Sequence, residues 1–333
     1  MSSVLGSLRR LVFAPSLAEV GFEGRGFSIT PTDATRRLET VPQAVVCGFE
    51  WGIDAPNLWD LERRLAMVEP ELRGFAYEGA TMACTILDAM GFRRGHRTRD
   101  LLRSSGEPHL LLAYIGVGFA MSKLPRALWK KIMPDLTGLK YFPIMTWLAV
   151  DGYGFDLAYF HQKKWVDRQE IPAPYPWEGN PDYFLRAVDQ GIGRALWFMN
   201  GGRPEPVVAA VGRFAPHRRA DLWSGIGLAA TFAGGCSPDE LTWLREAAGQ
   251  YRPEVALGAV NAVVGRDHAG YLPERTEPAL AALTGLTVSA AVNLAASTEV
   301  PGERDGEVPA YELWRQRVAA AFRPSASTTL AAS

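Results

Sequence analysis

One position in a recurring glycine phrase holds Glu78, Ile115, Asp151, Gln190, Ser224 and Asn261, each just ahead of the residue that aligns as the first glycine of its phrase. Five of these six are polar, on segments that are otherwise strongly apolar. An unpaired buried carboxylate or amide is costly to desolvate, so polar groups recurring at such a place need a reason. Two readings are open. If the position faces a cavity, Glu78 or Asp151 acts as proton donor once burial raises its pKa, and Gln190, Ser224 and Asn261, joined by Asp189, hydrogen-bond a ligand. If it faces neighbouring helices, the same groups tie helix to helix.

Aromatic side chains crowd the same phrases: Tyr77, Tyr114, Tyr153, Phe155, Trp197 and Trp223, with Trp147 nearby. A cavity walled by them suits a long conjugated or isoprenoid ligand and offers π-faces to a cationic intermediate, whereas the alternative is that they fill gaps between helices. His161, in YFH shortly after Asp151, is a candidate acid or base, against a structural or exposed role. The stretch GFRRGHRTRDLLR gathers Arg93, Arg94, Arg97, Arg99 and Arg103, where a phosphate or an acidic carrier protein would dock if the stretch is not simply solvated. No nucleotide-binding glycine loop, HExxH, Cys-x-x-Cys or nucleophile elbow occurs, so neither cofactor nor metal is expected. Cys47, Cys84 and Cys236 lie far apart in apolar patterns and read as buried free thiols.

These residues need elements to position them. FAYEGATMA, LAYIGVGFA, LAVDGYGFD, AVDQGIGRA and DLWSGIGLA repeat one phrase, with first glycines Gly79, Gly116, Gly152, Gly191 and Gly225. A proline precedes each by about nine residues: Pro70, Pro108, Pro143, Pro181 and Pro216. Pro253 continues the series with Ala262 in the glycine place, and Pro42 with Gly52 forms a degenerate first copy. Proline suits the first turn of a helix, so each marks a helix start and the glycines fall mid-helix. There they cost roughly 1 kcal/mol apiece against alanine, which close packing must offset. Gly-x-Gly thins both flanks of an inner helix. Outer amphipathic helices carry Leu61, Leu65 and Val68; Val207, Val211 and Phe214; and Leu244, Ala248 and Tyr251. The period of about 37 residues predicts an all-α chain of about six tandem αα-hairpins, closed into an α/α toroid around a central cavity or left as an open α-solenoid. The series breaks at Val166 to Asn180, whose prolines predict an ordered loop over one end.

The expected layout is an N-terminal arm over 1–35, one helical repeat domain over 36–322 and a disordered tail over 323–333. An apolar content of 47% and a formal charge of -1 allow a large core and give no sign of a nucleic-acid binder. Leu110 to Met121 is too short to span a membrane, and the start MSSVLGSLRRLVF lacks the parts of a signal peptide, which points to the cytoplasm.

FAYEGATMA, DGYGF with a following FH, QGIGRALWF and RRADLWSGIGLAATFAGG resemble an uncharacterised actinobacterial family encoded beside enediyne polyketide synthases, over about Arg36 to Phe322. That resemblance implies an accessory role in maturing a polyene or polyketide precursor, with an acyl carrier protein or the synthase as partner, but transfers no catalytic residues. The residues leave three functions in competition. One is a cofactor-independent cyclase or isomerase that holds a polyene-like or isoprenoid precursor; a terpenoid cyclase is a less favoured form of it, because the usual Asp-rich motifs are missing. The others are a carrier that shields a hydrophobic intermediate and a helical-repeat scaffold that binds protein.

Overall fold

A computed structural model describes residues 16–91, 95–300 and 308–323. The described chain is all-helical, 73% helix with no strand. Its α-helices are α1 (Leu17–Val20), α2 (Asp33–Asp54), α3 (Leu58–Ala66), α4 (Pro70–Met90), α5 (Arg97–Leu102), α6 (Leu110–Lys123), α7 (Trp147–Phe160), α8 (Pro181–Met199), α9 (Pro204–Gly212), α10 (Pro216–Ala233), α11 (Pro238–Ala247), α12 (Arg252–His268), α13 (Thr276–Thr284), α14 (Val288–Ser297) and α15 (Ala310–Ala320).

The proline rule holds where a proline opens a helix: Pro70, Pro181, Pro216 and Pro253 all occupy the first turn. Pro108 and Pro143 sit one step earlier, at short 3-10 turns ahead of α6 and α7. Pro42 differs. It lies inside α2, which starts at Asp33 because Thr32 and Thr35 form a capping box there.

Seven long helices, α2, α4, α6, α7, α8, α10 and α12, pack in chain order, each against the next. The contacts advance together along each pair, as where Phe119 meets Phe155 and Lys123 meets Asp156, so α6 and α7 run parallel. Glycine sets the spacing. A Cβ on Gly116 would overlap the carbonyl of Glu78, on Gly152 that of Ile115, on Gly191 that of Asp151, and on Gly225 that of Gln190. The second glycines face the other way: Gly118, Gly154, Gly193 and Gly227 lie against the backbones of Ala149, Val188, Leu222 and Val255 on the following helix. In α12 the residue that meets Ser224 is Gly258, not Ala262, so the position ahead of the glycine there is Leu257 and Asn261 lies one turn further on. In α2, Gly48 rather than Gly52 meets the backbone of Ala76.

The shorter helices flank this inner row with the predicted buried residues, including Leu61 and Leu65 on α3, Val207 and Val211 on α9, and Leu244 on α11. No α-helix flanks the row between α7 and α8. There the chain makes a π-helical turn at Lys163–Asp167, runs irregularly, and forms a 3-10 turn at Trp177–Gly179. Helices distant in the row also touch: Phe75 of α4 packs edge-on against Phe232 of α10 at 5.4 Å, and Arg266 of α12 donates to the carbonyls of Glu71 and Phe232.

Both ends of the inner helices are covered. At their C-terminal side, Tyr159 donates to the carbonyl of Val20 at 2.6 Å, Arg25 donates to those of Tyr159 and Phe160, and Phe27 packs edge-on against Tyr159. Part of the expected N-terminal arm is thus ordered against the core, while residues 1–15 and 324–333 of the expected arm and tail lie outside the described residues. On the other side, α15 inserts Arg315, bonded to Tyr183, Asp221 and Glu312. No single described helix is long and apolar enough to cross a membrane; only α13 and α14 together pass by length and composition, and they are bent by 63°.

Gly193→Ala is expected to destabilise the fold by about 2 kcal/mol or more, because its Cβ would strike backbone that cannot rotate away. Gly212→Ala meets nothing within 4 Å, and there the helix-propensity gain of up to about 1 kcal/mol should stabilise. Paired denaturant titrations read the two signs; equal effects would remove the packing role of Gly193.

Candidate functional site

All seven inner helices and α15 contribute to the wall of one cavity, with a volume of about 120 Å³. A single water needs roughly 10–15 Å³ on the same measure, so the space admits a chain of several heavy atoms. Its wall is mostly aliphatic and aromatic, with Phe119, Phe155, Phe198 and Phe232 among the rings. Polar side chains are few: Glu78, Arg194 and Asn261 line it, and the Lys123–Asp156 ion pair at 3.1 Å lies on the wall near Phe160.

Glu78 is 3% exposed and makes no hydrogen bond or ion pair with the described residues. Burial, opposed by the charge of Arg194 and aided by that of Asp151, raises its pKa from 4.5 to about 8. It is therefore mostly a neutral carboxylic acid at pH 7. Asp151 is also buried, and burial raises its pKa while Arg194 opposes the shift through charge and a 2.6 Å hydrogen bond from Nε. Two carboxyls in one region thus have different surroundings: one lacks a partner, and the other is held by a guanidinium. That is the arrangement by which proteins separate the roles of paired acids.

Of the residues expected at the site, Glu78, Asn261 and Phe155 face the cavity. The rest of the polar set is engaged elsewhere. Asp189 pairs with Arg218, and Gln190 bonds to Tyr183, Asp221 and Tyr311, so these two do tie helices together. Ser224 is buried, and its carbonyl is the one that Gly258 approaches. Tyr77 stacks on His109 beneath α3, Tyr153 packs on Trp129, Trp197 donates to the carbonyl of Gly234, and Tyr114, Trp147 and Trp223 are buried between helices. None of these aromatics lines the cavity. His161 is exposed at the C-terminal end of α7, outside the cavity, because it follows the last residue that the neighbouring helices cover. In the arginine-rich stretch, Arg99 pairs with Asp100 and Arg103 donates to the carbonyl of Thr137, while Arg93 and Arg94 lie outside the described residues.

Sequence reasoning missed Arg194. Its signal was present, an arginine directly after Gly193 in the middle of an apolar helix, where a buried guanidinium needs a carboxylate. It also missed Tyr311 and Trp314, which reach the cavity from the far end of the chain. Among the described residues no group of three or more His, Cys, Asp or Glu is placed to hold a metal ion.

A parallel row of helices in glycine contact, wrapped about an apolar cavity with one unpartnered carboxyl, defines an all-helical cavity protein. The chain belongs to the DUF1702 family, described as proteins of unknown function, whose model matches residues 4–322. No curated protein and no solved structure matches it.

Because the folded state keeps the Glu78 proton that the unfolded chain loses above about 4.5, Glu78 lowers stability as pH rises, and the loss is complete above about 8. Glu78→Gln removes this term. The variant should gain on the parent protein by roughly 1.4 kcal/mol per pH unit across that window, with no change below it. A constant difference in denaturant titrations from pH 4 to pH 9 would mean that Glu78 ionises in the fold as it does in water.

Proposed function

We propose that this protein closes its hairpins into an α/α toroid, holds an elongated apolar precursor in the central cavity, and acts on it as a cofactor-independent cyclase or isomerase with Glu78 as general acid. The unpartnered, neutral Glu78 carboxyl on an apolar wall carries the reading. Closure, rather than an open solenoid, is supported by the contacts of α10 and α12 with α4. A closed row offers no long groove to a protein ligand, which weighs against a scaffold.

In this reading the Glu78 proton passes to one carbon of the precursor, and the carboxylate so formed is stabilised by Arg194 nearby. Loss of a proton from a second carbon back to Glu78 moves the double bond and restores the acid. Ring closure would use the same first step, with the rings of Phe155 and Phe232 facing the developing cation. By resemblance the precursor is a polyene or polyketide, the setting is enediyne-type specialised metabolism in the cytoplasm, and an acyl carrier protein or synthase is the partner.

A non-catalytic carrier is the second reading, favoured by one observation: Asp151, Asp189 and Gln190 are all consumed in helix ties, which leaves a single acid for chemistry. A native mass spectrum of the protein from a producing strain, paired with metabolite profiling of the Glu78→Gln strain, separates the two. Retained ligand with product lost in the variant supports the enzyme. Retained ligand with normal product leaves the carrier. No ligand and normal product would overturn both.

A further inference from the structure

Arg194 and Glu78 are two of the polar side chains on the cavity wall, beside Asn261 and the Lys123–Asp156 pair. Arg194 is 6% exposed, lines the cavity and lies with its guanidinium 5.0 Å from the centre of the Phe155 ring. Its Nε donates to Asp151 Oδ1. Its Nη2 stands 2.5 Å from the same oxygen within the ion pair, yet it is buried and makes no hydrogen bond with the described residues. Glu78, which lines the same cavity from α4, also lacks a partner, and it is close enough to Arg194 to feel its charge. Two donors, a carboxyl O–H and a guanidinium N–H, are thus left over on a mostly apolar wall, whose other polar side chains are the paired Lys123 and Asp156 and Asn261, an amide with its Oδ1 unbonded.

We infer that the ligand of this cavity carries a carbonyl oxygen, as in a conjugated ketone, aldehyde or ester, which accepts one hydrogen bond from the Glu78 carboxyl and one from Arg194 Nη2. The inference rests on the apolar-ligand reading of the cavity and narrows it to one substrate class. A hydrocarbon would bury both donors unpaired. A carboxylate would bring a net negative charge, because Asp151 already balances Arg194, and uncompensated charge in an apolar cavity is strongly disfavoured. A neutral carbonyl oxygen has two lone pairs for the two donors and adds no charge. Two donors on one oxygen also draw electron density from a conjugated chain, which gives the bound carbonyl a spectroscopic signature.

Three probes of about ten carbons test this: a linear conjugated dienone, the matching diene and the matching dienoic acid. The dienone should bind at pH 7 about tenfold or more tighter than either of the others, with its absorption band moved to longer wavelength, as hydrogen bonding to a conjugated carbonyl requires. Glu78→Leu should lose most of the preference and the band shift while still binding the diene, which reports that the cavity is intact. Removing the Arg194 charge would strand Asp151, so Arg194→Lys is the second variant. It keeps the ion pair but not the spare forked N–H, and should also weaken the preference. Equal binding of dienone and diene, or an unaltered band shift in Glu78→Leu, overturns the carbonyl assignment and leaves the cavity reading standing. Preference for the acid overturns the charge argument and with it the assignment. Binding of none of the three overturns the cavity reading itself.

Discussion

Backbone contact at glycine governs how far apart the inner helices stand. Each of the central helices presents one glycine to the carbonyl of its predecessor and another to the backbone of its successor, so any side chain at these points would push two main chains apart. Mid-helix glycine is intrinsically unfavourable by roughly 1 kcal/mol, and only this close approach offsets it. Because the two glycines lie on opposite flanks, as in Gly116 and Gly118 or Gly191 and Gly193, neighbours are drawn in on both sides.

The interior explains the electrostatics. Helices this close leave room for few side chains between them, and those that point inward are mainly Phe, Leu and Val. A carboxyl in such surroundings either finds a cation or keeps its proton. Asp151 does the first with Arg194, Asp189 does it with Arg218, and Glu78 does the second. The network of Arg315, Glu312, Asp221 and Tyr183 fills one end, and Tyr159 with Arg25 fastens the N-terminal segment over the other, while Glu78 shares the wall with Arg194, Asn261 and the Lys123–Asp156 pair.

The helical class and the packing role of the glycines were legible because both are local and recur along the chain: a proline that opens a helix and a glycine that cannot be replaced each leave a mark of their own. Register in the outermost copies was not. Proline spacing placed Ala262 where Gly258 makes the contact and took Pro42 for a helix start, although contact register follows the approach of two backbones and the start of α2 follows the Thr32 cap. The cavity was legible only in part for a related reason. Whether a polar residue faces the interior or is tied up depends on partners from distant parts of the chain: Gln190 is claimed by Tyr311 of α15, and Asp151 by Arg194 of α8. Glu78 stayed free because no cation pairs with it, and most aromatics of the phrases have partners away from the cavity, such as Tyr77 on His109 and Tyr153 on Trp129.

A protonated Glu78 at neutral pH is the point on which the cavity, its ligand and its chemistry all depend. Infrared spectroscopy over a pH titration, taken as the difference between the parent protein and Glu78→Gln, measures it directly. The account predicts a carbonyl stretch of a neutral carboxylic acid at pH 7, missing from the variant and disappearing with a midpoint near 8. A carboxylate band for Glu78 already at pH 7, with a midpoint near the ordinary glutamate value, would contradict it.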